Sequence, residues 1–124
     1  GNKTIAITDS TSPVLLSDGS GQQHYTINSD CKWTIKPQAG HDLVMEFLAL
    51  DTELNVDSIY LFRGEKTAQT DLLLQLSGDK LPPKIIIEGD TALLWFVSDA
   101  QNQAKGFEVK LSLSPHSTNS DEKR

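Results

Sequence analysis

Apolar residues occur along this chain in short runs, and no run keeps the 3.6-residue period of an amphipathic helix for more than about two turns. Residues 107–113 alternate apolar and polar side chains, which is the pattern of a strand with one solvated face. Further apolar runs predict strands at residues 32–36, 43–50, 59–62, 72–76, 85–87 and 93–97, and residues 14–16 predict an edge strand. Short strands at this spacing predict an all-β fold, an antiparallel β-sandwich or jelly roll.

The length and the turn signals indicate one domain. Turn-forming residues separate the runs, at 37–40, 63–64, 77–79, 82–83 and 88–90. A chain of 124 residues has the usual length of a single domain. We assign residues 1–113 to the sandwich and the polar residues 114–124 to a flexible tail or linker.

Charge and hydropathy exclude two classes of partner. The chain carries 17 acidic and 11 basic side chains, a net charge of −6, which argues against binding the phosphates of nucleic acid. No apolar run approaches the roughly 18 residues that a membrane-spanning helix needs, so we expect no membrane insertion.

Motifs of enzymatic chemistry are absent from the sequence, which has no GxSxG, P-loop, HExxH or GxGxxG pattern. His24, His41 and His116 are far apart and are interpreted as solvated loop residues. The single cysteine, Cys31, shares its strand parity with Trp33, which predicts a buried, inert thiol. We therefore predict that the protein is not an enzyme.

Two acidic segments form the main candidate site. Asp51, Glu53 and Asp57 lie between two apolar strands, and Asp99 and Asn102 follow the strand at 93–97. If the fold brings these loops together, the carboxylates repel one another unless a cation lies among them. Calcium, which binds about 6–8 oxygen ligands, and a Lys or Arg of a partner are the two candidates. A polar turn with a capping Asp remains the alternative, and EF-hand spacing is absent.

Several motifs, in order, resemble those of the CUB domain family. Residues 31–40 resemble the family's opening C-x-W-x-I-x-x-P-x-G, and residues 47–64 resemble its F-x-x-F-D-x-E stretch and the strand after it. Residues 76–83 resemble its C-G and P-P elements, and residues 95–107 resemble F-x-S-D-x-S followed by G-F. The resemblance covers about residues 5–113, and Tyr25 also falls where the family usually has a tyrosine.

The resemblance implies a jelly-roll recognition module, secreted or at the cell surface, that forms part of a larger multidomain chain and binds a protein partner. It also implies a calcium site with a rim that receives a Lys or Arg of the partner. The residues that match this site are the metal ligands Glu53, Asp57 and Asp99, the further ligand candidate Asn102, the hydrogen-bonding Tyr25 and the rim residue Asp51.

The chain departs from the family pattern at its cysteines and in its first acidic loop. Most members carry two disulfides, whereas here Ile5 stands near the place of the first cysteine, Cys31 is unpaired and Ser77 replaces the fourth. Such a chain lacks the roughly 2–4 kcal/mol that each bridge supplies. The loop between Glu53 and Asp57 is also shorter than the family normally shows.

Two alternative functions remain open: a carbohydrate-binding module, and a structural or assembly domain. Aromatic residues make up only 6% of the chain, and we expect both Trp33 and Trp95 in strand cores, which disfavours sugar binding. Two or more exposed, coplanar rings on one sheet face would favour it.

Overall fold

The computed structural model describes residues 2–9, 11–17, 30–52, 57–88, 91–98 and 106–116. These residues form nine strands and one short 3-10 helix, Gln69–Asp71. The strands are β1 (Asn2–Ile7), β2 (Val14–Ser17), β3 (Asp30–Pro37), β4 (His41–Asp51), β5 (Ser58–Arg63), β6 (Leu72–Leu76), β7 (Ile85–Ile87), β8 (Ala92–Val97) and β9 (Gly106–Pro115). In this part of the chain no helix is long and apolar enough to cross a membrane. The prediction of an all-β fold is confirmed.

The strands form two sheets that pack face to face. The five-stranded sheet has the order β1-β3-β8-β5-β6, and the four-stranded sheet has the order β2-β9-β4-β7. Among the described pairs only β1 and β3 run parallel, with Ile5 opposite Ile35. The remaining pairs are antiparallel, as the sequence predicts.

The core lies between the sheets because alternate side chains of each strand face inward. Its aromatic centre is Phe107 of β9, whose ring centroid lies 5.7 Å from Trp33, 5.6 Å from Phe96 and 6.4 Å from Phe47. Trp33 and Phe96 belong to the five-stranded sheet, and Phe47 belongs to the four-stranded one. The ring of Phe107 therefore connects the two layers.

Most strand predictions agree with the structure. β6 and β7 have the predicted bounds, and β2 is an edge strand, as expected. β9 continues to Pro115, and the backbone N–H of His116 donates to the carbonyl of Gly40 at 2.9 Å. Residues 117–124 of the predicted tail lie outside the described residues.

Strand β1 has no counterpart in the sequence prediction. Only Ile5 and Ile7 alternate in an otherwise polar segment, and Ile7 is the one that is buried in the core. Pairing with β3, about thirty positions along the chain, makes this segment a strand. The residues of a segment do not by themselves predict pairing with a strand so far along the chain.

Cys31 faces the core, as its parity predicts, but it is half-buried at the start of β3 and is not fully buried. The β1–β3 register also corrects the expectation about Ile5. Ile5 lies opposite Ile35, four residues beyond Cys31, which is about 13 Å along a strand. A cysteine at position 5 would therefore not reach Cys31.

Candidate functional site

Several connections of the two sheets leave the same end of the sandwich. β5 begins at Ser58, which pairs with Val97, the last residue of β8. β4 ends at Asp51, which pairs with Gly106, the first residue of β9. β3 also begins here, because Asp30 pairs with Val97 on its other side. We call this the acidic end, defined by Asp30, Asp51, Asp57 and Ser98.

The structure describes two of the predicted site residues, and both lie at the acidic end. Asp51 is half-buried as the last residue of β4, and Asp57 directly precedes β5. The others lie outside the described residues; they are Tyr25, Glu53, Asp99 and Asn102. The described residues that flank the segments of Glu53, Asp99 and Asn102 lie at the acidic end, and Asp30, which follows the segment of Tyr25, also lies there. The topology therefore brings the starting points of both acidic loops together, whereas the ligand set stays a prediction.

Asp57 is fully buried, with 0% of its surface exposed. Ser98, which follows the cross-strand partner of Ser58, is also buried. Removing a carboxylate from water is costly unless hydrogen bonds or an opposite charge compensate, and neither Asp57 nor Ser98 lacks a partner. Asp57 is therefore a buried side chain with a partner at the base of the acidic end, which is compatible both with a calcium site and with a polar turn that has a capping Asp.

A pair of hydrogen bonds fixes the start of the first acidic loop. The backbone N–H of Thr52 donates to the carbonyl of Gly78 at 2.9 Å, and the N–H of Gly78 donates to Thr52 Oγ1 at 2.8 Å. Gly78 has a φ of 89°, in the left-handed region that favours glycine. Because Thr52 follows β4 and Gly78 follows β6, these bonds join the two sheets. Only the turn at Gly78 was visible in the sequence; its partner lies 26 residues away.

The expected core position of Trp95 is wrong, whereas that of Trp33 is confirmed at 6% exposure. Leu94 and Phe96 point into the core, so Trp95 between them points outward and is half-buried. Its Nε1–H donates to Asp30 Oδ1 at 2.6 Å. The Lys32 ammonium lies 4.8 Å from the centroid of the indole ring.

The two described histidines lie at the opposite end of the sandwich, and His24 lies outside the described residues. His116 is not a free solvated side chain, because its Nδ1 lies 2.6 Å from the Oδ1 of the buried Asp42. His41 Nδ1 lies 3.0 Å from the carbonyl of Ala39. Neither histidine is placed to act on a group at the acidic end.

Within the described ranges, no three His, Cys, Asp or Glu side chains are grouped so that they could hold a metal ion. Three of the four predicted calcium ligands lie outside those ranges, so the calcium site stays a prediction. What the described residues provide is one buried carboxylate and a half-buried one at the point where both acidic loops begin.

Comparisons with known proteins agree with this architecture. A sequence model described as "CUB domain" matches residues 7–111. The rat protein "Multiple epidermal growth factor-like domains protein 8" is 35% identical over 103 residues, which cover 82% of this chain and 4% of the relative. The chain therefore spans a small part of that relative's length.

Two solved structures share the fold. The MASP-1 CUB2 domain bound to Ca²⁺ superposes with a TM-score of 0.72 at 19% identity, over 87% of this chain and 96% of that one. The full extracellular region of zebrafish Gpr126/Adgrg6 gives a TM-score of 0.67 at 23% identity, over 90% of this chain and 15% of that one.

Proposed function

This chain belongs to the CUB domain family, and from that premise we propose that it is a non-enzymatic recognition module that binds a protein partner through the acidic end. The convergence of the two acidic loops carries the proposal, because the described residues beside both loops lie at the acidic end and several carboxylates there would repel one another without a cation. The small share of the relative that the chain covers supports a place within a larger multidomain protein, secreted or at the cell surface.

Calcium is the cation that we propose for this end, bound by Glu53, Asp57 and Asp99. Asn102 would supply a further oxygen ligand. Carboxylate and amide oxygens on loops are the ligands that Ca²⁺ prefers, and the ion offsets the repulsion between them. Asp57 has its backbone fixed next to β5, which suits a ligand that must hold one orientation. The calcium bound in the MASP-1 CUB2 neighbour supports the assignment.

The partner would insert a Lys or Arg side chain at the rim of this site. Asp51, half-buried at the end of β4, would accept the cation, with Tyr25 as a supporting hydrogen-bond partner. The net charge of −6 would also attract a basic partner during the encounter. In this proposal the calcium ion orders the loops that form the rim. The ordered rim then binds the Lys or Arg side chain of the partner.

A thermal melt in millimolar calcium and in excess EDTA tests the metal site. An ion that binds only the native state stabilises it by about 2.7 kcal/mol at a hundredfold excess over its Kd, so the melting temperature rises. Asp99→Asn should abolish this rise. Glu88→Gln removes the same charge from an exposed residue at the opposite end and should keep it.

An unchanged melting temperature of the unaltered chain in calcium would contradict the metal site. An equal rise with magnesium would contradict a site selective for calcium, because magnesium demands a tighter octahedral geometry. Circular dichroism of Asp99→Asn in EDTA establishes that the variant is folded, so that its lost response reports binding alone.

Binding of a lysine-rich peptide, compared with the same peptide acetylated on its lysines, tests the recognition function. We expect binding of the unmodified peptide in calcium, loss of that binding in Asp51→Asn and in Asp99→Asn, and retention in Glu88→Gln. An affinity for the lysine-rich peptide that is the same in Asp51→Asn and Asp99→Asn as in the unaltered chain would overturn the proposal. If the chain forms concentration-dependent oligomers that these variants leave intact, the structural or assembly role would replace it.

A further inference from the structure

A row of side chains crosses the outer face of the five-stranded sheet. The strand registers place Asn2 opposite Lys32, Lys32 opposite Trp95, Trp95 opposite Tyr60, and Tyr60 opposite Gln75. Each strand of the sheet contributes one residue. Since direct cross-strand partners lie on the same face, an amide at each end flanks an ammonium and two aromatic rings. We call these five residues the outer row.

The two rings of the outer row form a fixed, tilted platform. The centroids of Tyr60 and Trp95 lie 5.4 Å apart with 39° between the ring planes, and both side chains are half-buried. The hydrogen bond from Trp95 Nε1 to Asp30 Oδ1 orients the indole. Tyr60 also stacks on Phe62, at 6.4 Å and 30°. The tilt follows the twist between neighbouring strands, and the aromatic pair adds to sheet stability.

A cavity lies beside these two rings, and the pairing of the strands does not require it. A cavity of about 360 Å³ is lined by Asn2, Lys32, Thr34 and Leu93 of the sheet and by residues 65–67 of the connection that follows β5. This volume lies within the range of small-molecule sites, roughly 300–1,000 Å³. Its lining combines amide, hydroxyl and ammonium groups above one buried leucine.

The charges at this cavity favour an acidic ligand, although the chain as a whole is acidic. Lys32 and Lys66 line the cavity, and neither forms an ion pair with a described residue. Glu65, the one acidic residue of the lining, lies 4.0 Å from the Lys36 ammonium. The Asp30 carboxylate, which accepts the Trp95 hydrogen bond, belongs to the acidic end of the sandwich and does not line the cavity. The cavity therefore presents two ammonium groups that pair with no described carboxylate, and that of Lys32 also lies over the Trp95 ring.

We propose that the outer row and its cavity bind an oligosaccharide that carries acidic groups. The Lys32 ammonium lies over Trp95, so the half-buried Tyr60 ring contacts the apolar face of one sugar ring, a role that does not need a coplanar pair. The Asn2 amide and the hydroxyls of Thr34 and Thr67 match sugar hydroxyls, and Lys32 and Lys66 match a carboxylate or sulfate. The site is separate from the acidic end and does not rest on the calcium site.

An amide NMR titration of the whole chain tests the site with defined probes. We expect a hyaluronan tetrasaccharide, whose acidic groups are carboxylates, to shift the signals of Lys32, Tyr60 and Lys66. A neutral glucose tetrasaccharide should not shift them. If a heparin tetrasaccharide binds and hyaluronan does not, the proposed site is retained and the acidic group that it recognises is sulfate. Binding should be unchanged in EDTA.

Matched variants separate this site from general attraction between charges. Lys66→Ala should weaken the affinity about tenfold, because it removes a charged hydrogen-bond partner. Tyr60→Thr, which keeps a strand-forming residue, should weaken it about fivefold. Lys84→Ala removes the same charge from an exposed residue beside β7 and should change nothing.

Five results would overturn the proposal. Four of them are the absence of binding by both acidic probes, equal binding of the neutral probe, equal affinity of Lys66→Ala and Lys84→Ala, and shifts confined to the acidic end. Signals of Tyr60 and Trp95 that move with protein concentration in the absence of sugar would also overturn it, because they would assign this face to a second copy of the chain.

Discussion

Asp9 accepts two hydrogen bonds from Thr11 in the connection between β1 and β2. The Thr11 hydroxyl donates to Oδ1 at 2.6 Å, and the Thr11 backbone N–H donates to the same atom at 2.8 Å. Both bonds favour the ionised carboxylate, and the bond from the Thr11 hydroxyl has the larger effect. Together they hold the pKa of Asp9 below its usual value. Asp9 therefore stabilises the fold above the unfolded pKa of about 3.9, and this contribution is lost as the pH falls through the lower folded pKa.

Thr11→Val tests this assignment at the level of one residue. The variant removes the hydroxyl donor and should raise the pKa of Asp9 towards its ordinary value, as followed by an NMR titration of the Asp9 side chain. Thr11→Ser keeps the donor and should leave the low pKa in place. An Asp9 pKa that is the same in both variants would show that the hydroxyl bond is not its cause.

At the level of elements, the connection after β4 depends on a buried contact. Thr52 is 5% exposed, and its Oγ1 accepts from the buried Gly78 backbone. The first acidic loop begins directly after this contact, which therefore sets the position from which Glu53 starts. The resemblance to the CUB domain matches Ser77 to the family's fourth cysteine, and Ser77 directly precedes Gly78 in this contact.

Thr52→Val should lower the free energy of unfolding by about 1–3 kcal/mol, because it leaves the Gly78 N–H without that acceptor. Thr52→Ser retains an acceptor oxygen and should lose less, with both values measured by urea denaturation. If valine and serine are tolerated equally, the contact is not the element that holds this connection.

At the scale of the whole molecule, packing across the sheets must supply what disulfides supply elsewhere in the family. Cys31 forms no disulfide within the chain, and the aromatic cluster around Phe107 joins both layers. Phe107 is 3% exposed and directly follows Gly106, where β9 leaves the acidic end. Phe107 therefore packs in the core and also lies next to the point where the chain leaves the acidic end.

Phe107→Ala should lower the free energy of unfolding by about 3–5 kcal/mol, since it leaves a cavity between the sheets. Phe107→Leu should cost less, because part of the volume is kept. Leu15→Ala, on an edge strand and 59% exposed, should change stability by less than about 0.5 kcal/mol. Urea denaturation measures all three, and a cost for Phe107→Ala no greater than that of Leu15→Ala would contradict this account of the core.

The sequence by itself determined eight of the nine described strands, all but β1, and the family. Side chains alternate with a period of two in residues 107–113, so the inward face of β9 was readable before any partner strand was known. The bounds of β6 and β7 followed from the turns around them. The resemblance to the CUB domain is confirmed by the match over residues 7–111, because its motifs are local and ordered along the chain.

Only the tertiary structure decided which segments meet. The run at 93–97 is apolar at every position, so it carries no parity, and the outward direction of Trp95 depended on its pairing with β3 and β5. Three further features also depend on the tertiary structure: the pairing of β1 with β3, the contact of Thr52 with Gly78, and the cavity lined by residues 65–67. The strand partners are separated by about thirty to seventy positions, and Thr52 and Gly78 by 26. Pattern and turn chemistry act over a few residues, whereas the register between distant strands is set by how well both sheets bury their inner faces.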